Sequence, residues 1–515
     1  MPSRSLARLL ALMAAVLFCL PARVDFIQEV HAAVKDGGSK PGEAITAFEE
    51  IDRRFGKDDS PGVREQVAEA LFNKGVILGQ QGNIWEAIAV YEEIDRRFGE
   101  DDSPSVREWV ARALVNKGVT FGQQSLLREA TAVFEEIVRR FGEDDMPGVR
   151  EQVAMALFNK SALLWLQDKI GEEIVVYEEI DRRFGKDDSP GVREWVARAL
   201  FNKGAILLGR QGKTGEAIAV YEEVDRRFGK DDSPGVREWV AKALFDKGAA
   251  LGQQGKTGEA IAVYEETDRR FGKDDMPRVR KQVAMALFNK GVALEKQGKT
   301  GEAMTIYEEI DRRFGKDCSF GVCVLVAMAL VNKGSALGKQ GKTGEAMAVY
   351  EEIDRRFGKD GSPGVRVQVA MALFNKGVTL GEQGKTGEAM AIYEEIDRRF
   401  GKAGSPPCMS VSVLATEVFS NKGVPLEEQG KTWEAIIISA VIGQHFGKDD
   451  PPGVLEWVAR ALFSKGATLG EQGKTGEAIA VFEEIVRRFG KDGSPGVREW
   501  VAGARRFIEN PFPRP

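Results

Sequence analysis

The amino-acid sequence predicts an all-α protein, a solenoid of about eleven antiparallel helix pairs closed by a C-terminal capping helix. Three observations carry that prediction. First, the phrase EEIDRRFGKDDSPGVRE returns with variations along the 515 residues, and its Phe recurs eleven times from Phe55 to Phe489. Second, eight of the ten intervals are 43 residues long, and each interval holds two separate runs of apolar residues at helical spacing. The 44-residue interval comes from an extra residue in 205–212, and the 46-residue interval from the eroded stretch 403–422. Third, 43% hydrophobic with 30% charged residues describes a chain that folds around a core and is too apolar for disorder.

One period, 233–272, justifies each element in order. Ser233 before Pro234 reads as an N-cap with proline at the first helical position, where its missing N–H costs nothing. Val236, Val240, Leu244, Gly248 and Leu251 follow at spacings of 4, 4, 4 and 3, one apolar stripe along a first helix. Gly255–Lys256 ends that helix. Thr257 is expected to cap the second one, with Glu259 in its first turn at the positive end of the dipole. Ala260, Ile261, Tyr264, Thr267 and Phe271 form the second stripe, and Gly272 the C-cap. A single pair cannot bury both stripes, so successive pairs must stack.

The run Leu244-x-x-Lys247-Gly248-x-x-Leu251, followed by Ala260-x-x-x-Tyr264, resembles the tetratricopeptide repeat. The Gly, the Ala and the aromatic keep the family's spacing in most of the eleven copies, over residues 40–509. Three departures matter. Lys247 replaces the family's Leu, the closing Pro277 comes late, and VREWV (236–240) lengthens the first helix, so the period exceeds the family's roughly 34 residues. The resemblance implies a right-handed superhelix that presents a long curved surface, a protein- or peptide-binding scaffold or adaptor. The alternative is an envelope-associated structural or assembly-tethering component without catalysis of its own.

The ends fit this plan. Val24–Lys35 aligns as a degenerate first helix before the second helix at 43–56. Residues 496–509 match a first helix with no second helix after it, and Arg505, Arg506 and Glu509 give it a polar face with which to cap the array. Arg4 and Arg8 precede the 12 apolar residues Leu9–Leu20, which reads as a signal peptide, with an uncleaved anchor and a cytoplasmic segment as alternatives. Cleavage after Leu20-Pro21-Ala22 leaves the degenerate helix whole and is preferred to Val30-His31-Ala32, the better small-residue motif. The expected organisation is therefore a signal peptide at 1–22, a continuous solenoid at 23–509 and a disordered tail at 510–515. Export to the periplasm or the exterior follows, or else membrane anchoring through the uncleaved segment. Past residue 22 no apolar run is expected to approach membrane length.

Composition excludes several functions. With 73 Lys+Arg against 79 Asp+Glu, a net charge of −6, the chain has no basic footprint for nucleic acid. Two His and four Cys argue against histidine acid–base chemistry, zinc sites and a disulfide scaffold, so neither an enzyme nor a cofactor is expected. Cys318 and Cys323, five apart, either pair or reflect drift of a redundant repeat, and Cys408 has no evident partner. Gly-Lys-Thr occurs seven times but lacks the Gly five positions earlier that a phosphate loop needs, so it reads as the turn between helices. Adjacent glutamates such as Glu222–Glu223 diverge around a helix and read as a solvated face, and the Asp-Asp-Ser-Pro junctions as helix-start electrostatics. Trp109, Trp195, Trp239, Trp457 and Trp500 are expected to pack between lengthened first helices.

The family's concave face is lined by first-helix residues, which the resemblance maps onto Phe72, Phe158, Phe201, Phe245, Phe288, Phe374 and Phe463. One turn earlier stand Met155, Met285, Met328 and Met371, interleaved with Arg112, Arg198, Lys242 and Arg460. Such a groove is expected to take an apolar or aromatic peptide. The competing reading puts the Phe ladder in the seam between repeats, and exposure separates the two.

Overall fold

The computed structural model describes residues 41–316, 321–385, 473–491 and 495–509, with residues 28 and 31 and scattered positions within 388–399 and 459–470. The expected signal peptide, the eroded stretch 403–446 and the 510–515 tail lie outside the described residues. Every element described is a helix. The chain divides into two compact bodies, one ending at Val263 and one beginning at Tyr264. In the N-terminal body, Pro41–Phe55 is followed by the pairs Pro61–Gln80/Ile84–Phe98, Pro104–Gln123/Leu127–Phe141, Pro147–Leu166/Ile170–Phe184 and Pro190–Gly209/Thr214–Phe228, then by Pro234–Gln253. The C-terminal body holds Pro277–Lys296/Thr300–Phe314, Val322–Lys339/Thr343–Phe357 and Pro363–Glu382, and near its end Thr475–Phe489/Pro495–Glu509. Repeats are numbered here by their closing Phe, so repeat 2 ends at Phe98 and repeat 4 at Phe184. Within each body a helix packs on its predecessor and successor, and first helices also pack on the first helix one repeat away.

The two stripes are the core. Val236, Val240, Leu244, Gly248 and Leu251 are buried, as are Ala260, Tyr264, Thr267 and Phe271, while Ile261 is half-buried. The small motif residue is small because of its neighbour across the pair. A Cβ added at Gly204 would lie 2.6 Å from Tyr221 Cε1, and one at Gly291 would lie 2.5 Å from Tyr307 Cε1.

The helix ends differ from expectation in three ways. Ser233 is an N-cap before a first-turn proline, but its hydroxyl does not bond the helix; it turns back to the Asp231 carboxylate, which also accepts the Ser233 N–H at 2.8 Å. The second helices begin at Thr rather than after it. Their N-cap is the preceding Lys, as at Lys213, Lys299, Lys342 and Lys474. The register comes from the first helix's end: Gly255 is left-handed at φ 77°, and the Lys256 N–H donates to the Leu251 carbonyl at 3.0 Å. The closing glycines are not left-handed; Gly229 has φ −61°. Glycine is needed there because a Cβ at Gly185 would lie 2.4 Å from the Asp181 carbonyl oxygen and 2.7 Å from the Arg227 guanidinium of the next repeat.

That guanidinium belongs to a clamp repeated along both bodies. Arg227 donates to Asp181 Oδ1 at 2.6 Å and to the Gly185 carbonyl at 2.7 Å; Arg97 and Arg140 reach back one repeat in the same way, as do Arg313 and Arg356 in the C-terminal body. A second link explains the Lys that departs from the family pattern. Lys203 Nζ meets Glu178 at 2.8 Å and Lys290 meets Glu265 at 2.9 Å, each lysine reaching the preceding repeat's second helix. The next glutamate along pairs three residues on with its own arginine, as Glu223 with Arg226 at 2.5 Å. The Glu–Glu pair is thus divided between two cations rather than left solvated as a unit. The first junction Asp is also engaged, Asp231 accepting from Arg193 of the same repeat at 2.6 Å.

Repeat 8 departs most within the described residues. Its first helix starts late at Val322, after Gly321 at φ 81°, and Cys323 is disulfide-bonded. Val322–Lys339 also has the length and hydropathy of a membrane span, contrary to expectation, because Cys323 and Val324 replace the Arg-Glu pair that most other repeats carry. Its stripe is buried against the second helices on either side and the first helix at 363–382.

Candidate functional site

Phe72, Phe158, Phe201, Phe245, Phe288, Phe374 and Phe463 are all half-buried, and so are Met155, Met285, Met328 and Met371. Each Phe follows a buried stripe residue such as Leu71 or Leu157, and the 100° step places it at the stripe's margin. Phe158 lies 5.8 Å from Tyr177 of its own second helix and 5.2 Å from Trp195 of the next first helix. Phe72 contacts Tyr91 and Trp109 at 6.2 and 5.3 Å, and Phe201 contacts Tyr221 and Trp239 at 5.9 and 5.4 Å. Trp109, Trp195, Trp239 and Trp500 therefore pack across first helices as expected, holding one edge of Phe72, Phe158, Phe201 and Phe463 in the seam, while Trp457 lies outside the described residues.

Cations sit on this aromatic row. The Arg198 guanidinium lies 4.2 Å from the Phe158 ring centroid, 4.8 Å from that of Trp195 and 5.3 Å from that of Trp239. Lys242 Nζ lies 3.9 Å from the Trp239 centroid and 2.6 Å from Glu238; Arg112 covers Trp109 at 4.7 Å and pairs with Glu108 at 2.6 Å.

Glutamates complete the row, and the sequence reading missed them. Glu108, Glu151 and Glu194 occupy the same position in three successive first helices, each against the glycine that follows the next repeat's Pro. A Cβ at Gly148, Gly191 or Gly235 would stand 2.1, 2.2 or 1.8 Å from that carboxylate. Burial pushes the Glu151 carboxyl up, the positive field of Arg112 lowers it, and Glu108 and Glu194 raise it further. The signal is present in the sequence as Arg-Glu before Trp or Gln, as at 107–109, 150–152 and 193–195. In repeats 8 and 9 the same position is Val324 and Val367, beside Met328 and Met371, and the row becomes apolar.

A second missed cluster lies in repeat 4. Ser161 replaces the motif Gly and Glu173 the motif Ala, and both are buried. Tyr177 donates to Glu173 Oε1 at 3.2 Å, and Glu173 Oε2 has no hydrogen-bond partner. Burial raises the Glu173 carboxyl and pushes the Tyr177 hydroxyl up to about 12. Among the described residues no three His, Cys, Asp or Glu are grouped to hold a metal.

Tetratricopeptide repeat models match residues 245–317, and also 68–97 and 327–356. No curated protein matches the sequence significantly. Among solved structures the chain is similar to the apo form of RapI, at 12% identity over 78% of this chain and 99% of that one, with a TM-score of 0.44. It is also similar to the apo form of the quorum sensor NprR from B. thuringiensis (12% identity, 73% and 97% coverage, TM-score 0.37) and to an engineered protein (14%, 90% and 99%, 0.35).

Proposed function

We propose that this chain, built of tetratricopeptide-like repeats, is a protein- or peptide-binding scaffold whose first-helix row is the binding face. The half-burial of the whole Phe and Met row carries the reading. Where the next first helix carries Trp, one edge of the ring is anchored in the seam between repeats, and the other supplies apolar surface without a loss of fold on release. In repeats 3–6 that surface is crossed by cations on indole faces and by the Glu108–Glu151–Glu194 line, whereas in repeats 8 and 9 it is apolar. The N-terminal part of the row suits an apolar or aromatic segment that also carries charge, and the C-terminal part a purely apolar one. Catalysis has no place in this reading. A photo-crosslinking residue in place of Met155 should trap a partner, and the same residue at the exposed Ala219 of a second helix should not. Crosslinks from Ala219 alone would sink the proposal.

Export belongs to the same proposal, with cleavage after Ala22. The burial of His31 supports that site: its ring meets Phe48 edge-on at 5.5 Å, and its Nδ1 lies 3.0 Å from Glu69, so a cut after Ala32 would remove a packed residue. N-terminal sequencing of mature protein should return Arg23; a chain beginning at Met1 or Pro2 in a soluble cytoplasmic fraction would refute the signal peptide.

A further inference from the structure

From repeat 5 onward the turn between helices reads Gly-Lys-Thr, whereas in repeats 2–4 it is apolar: Ile84-Trp85, Leu126-Leu127, and Ile170 beside Trp165-Leu166. The large hydrophobics exposed among the described residues flank repeat 3: Trp85 at 65% on repeat 2, and Trp165 at 51%, Leu166 at 59% and Val175 at 59% on repeat 4, while Leu126 and Leu127 between them are half-buried. Repeats 3 and 4 also hold their turns with non-glycine residues in the left-handed region, Ser125 at φ 61° and Asp168 at φ 57°. That strain, avoided wherever Gly-Lys-Thr is used, accompanies the change of surface. Trp165 stands where repeats 2, 3 and 6 have Gly79, Gly122 and Gly252, and it is held in place by Arg210, which lies 5.7 Å from its ring and pairs with Asp168 at 3.1 Å.

We propose that this turn edge is a homodimer interface, joining two copies of the chain about a two-fold axis through repeat 3. A two-fold contact must be self-complementary, and the order of groups here is: a Trp on repeat 2, a Leu pair on repeat 3, a Trp on repeat 4. The axis lays Trp85 of one copy on Trp165 of the other, twice, with the two Leu126-Leu127 turns meeting between them. Charge agrees with that arrangement. Exposed Glu86 on repeat 2 faces half-exposed Lys169 on repeat 4 of the second copy, and Arg128 faces Glu129 across the axis. The edge as a whole mixes signs, with Glu86, Glu129, Asp168 and Glu172 against Arg128, Lys169 and Arg210, so neither a polyanion nor an anionic membrane fits it. Two exposed tryptophans are the residue type that anchors protein interfaces. No residue is shared with the first-helix row, so this proposal and the binding-face reading stand or fall separately.

Sedimentation velocity of the full chain across a concentration series into the micromolar range tests it. Wild type should form a dimer, and Trp85→Ser with Trp165→Ser should leave a monomer of unchanged melting temperature. Glu86→Lys and Lys169→Glu should each weaken the dimer at least tenfold, and the two together should restore it. A wild-type monomer, a dimer indifferent to the tryptophan changes, or a charge-reversed double variant that stays dissociated would each overturn the proposal.

Discussion

Asp246 shows how one atom sets a pH dependence. It stands where neighbouring repeats carry Asn, whose Nδ2 donates to the preceding repeat's tyrosine hydroxyl, Asn289 to Tyr264 and Asn332 to Tyr307, both at 3.4 Å. In repeat 6 that donor is missing, and the buried Tyr221 hydroxyl has no hydrogen-bond partner. Burial pushes the Asp246 carboxyl up to about 6, with Lys242 opposing the rise. The raised value means that the fold prefers the neutral acid. Stability is therefore full below the unfolded value of about 4 and is lost as pH rises through 6. Asp246→Asn should stabilise the protein by about 1–2 kcal/mol at pH 8 and by little at pH 4. Chemical denaturation at the two pH values measures it, and an equal gain at both would show that the carboxyl is not the cause. The Asn-to-Asp change is visible in the sequence; its consequence is not, because the tyrosine it should serve lies in another repeat.

Element by element, the sequence announced the two stripes, the first-turn proline and the turn glycine, all of which depend on spacing along one helix. It misplaced the second-helix cap by one residue. Thr outranks Lys as a cap in isolation, but the hydrogen bond from Lys256 back to Leu251 closes the first helix and starts the second one residue beyond it. The clamp could not be read at all, since its partners lie 45 or 46 residues apart. Its absence in one place is instructive. Val138 replaces the clamp Asp in repeat 3, and Arg183 of repeat 4 turns instead to Glu179 of its own helix at 2.9 Å. Val138→Asp should gain about 0.5–1 kcal/mol, and Arg227→Ala should cost about 1 kcal/mol, both read from urea midpoints. The two outcomes are linked: if Arg227→Ala proves silent, the engineered clamp should be silent too.

At the level of the whole molecule, the legible part was the architecture of stacked helix pairs, because an eleven-fold period leaves few other folds open. The Phe and Met row was legible as a row of residue types but not as a state. At Phe72, Phe158 and Phe201 the Trp of the following repeat covers one edge of the ring, a contact that a single period does not contain. The terminal helix behaved as read: Arg505 and Arg506 are exposed, while Phe507 stacks on Phe482 at 5.0 Å and Trp500 meets Phe463 at 5.3 Å. Because repeats contact only their neighbours, removing residues 495–515 should weaken the last repeat and leave distant ones intact. Hydrogen exchange should show protection lost over 475–489 and retained over 104–166. Loss along the entire chain would mean that the array unfolds as a single cooperative block.

The clamp makes the repeats interchangeable parts. Each regular seam offers the same Asp and Gly carbonyl below and the same Arg above, so the top of one repeat fits the base of any other, and a gene can lengthen or shorten the array by whole periods through unequal recombination. Cutting out residues 104–146, one period of 43, would seat repeat 4 directly on repeat 2 and bring Arg183 above Asp95. That splice removes two seams, one clamped by Arg140 on Asp95 and one without a clamp, and leaves a single clamped seam in their place. The shortened chain should melt no lower than its parent, whereas a deletion of half a period at the same place should not fold.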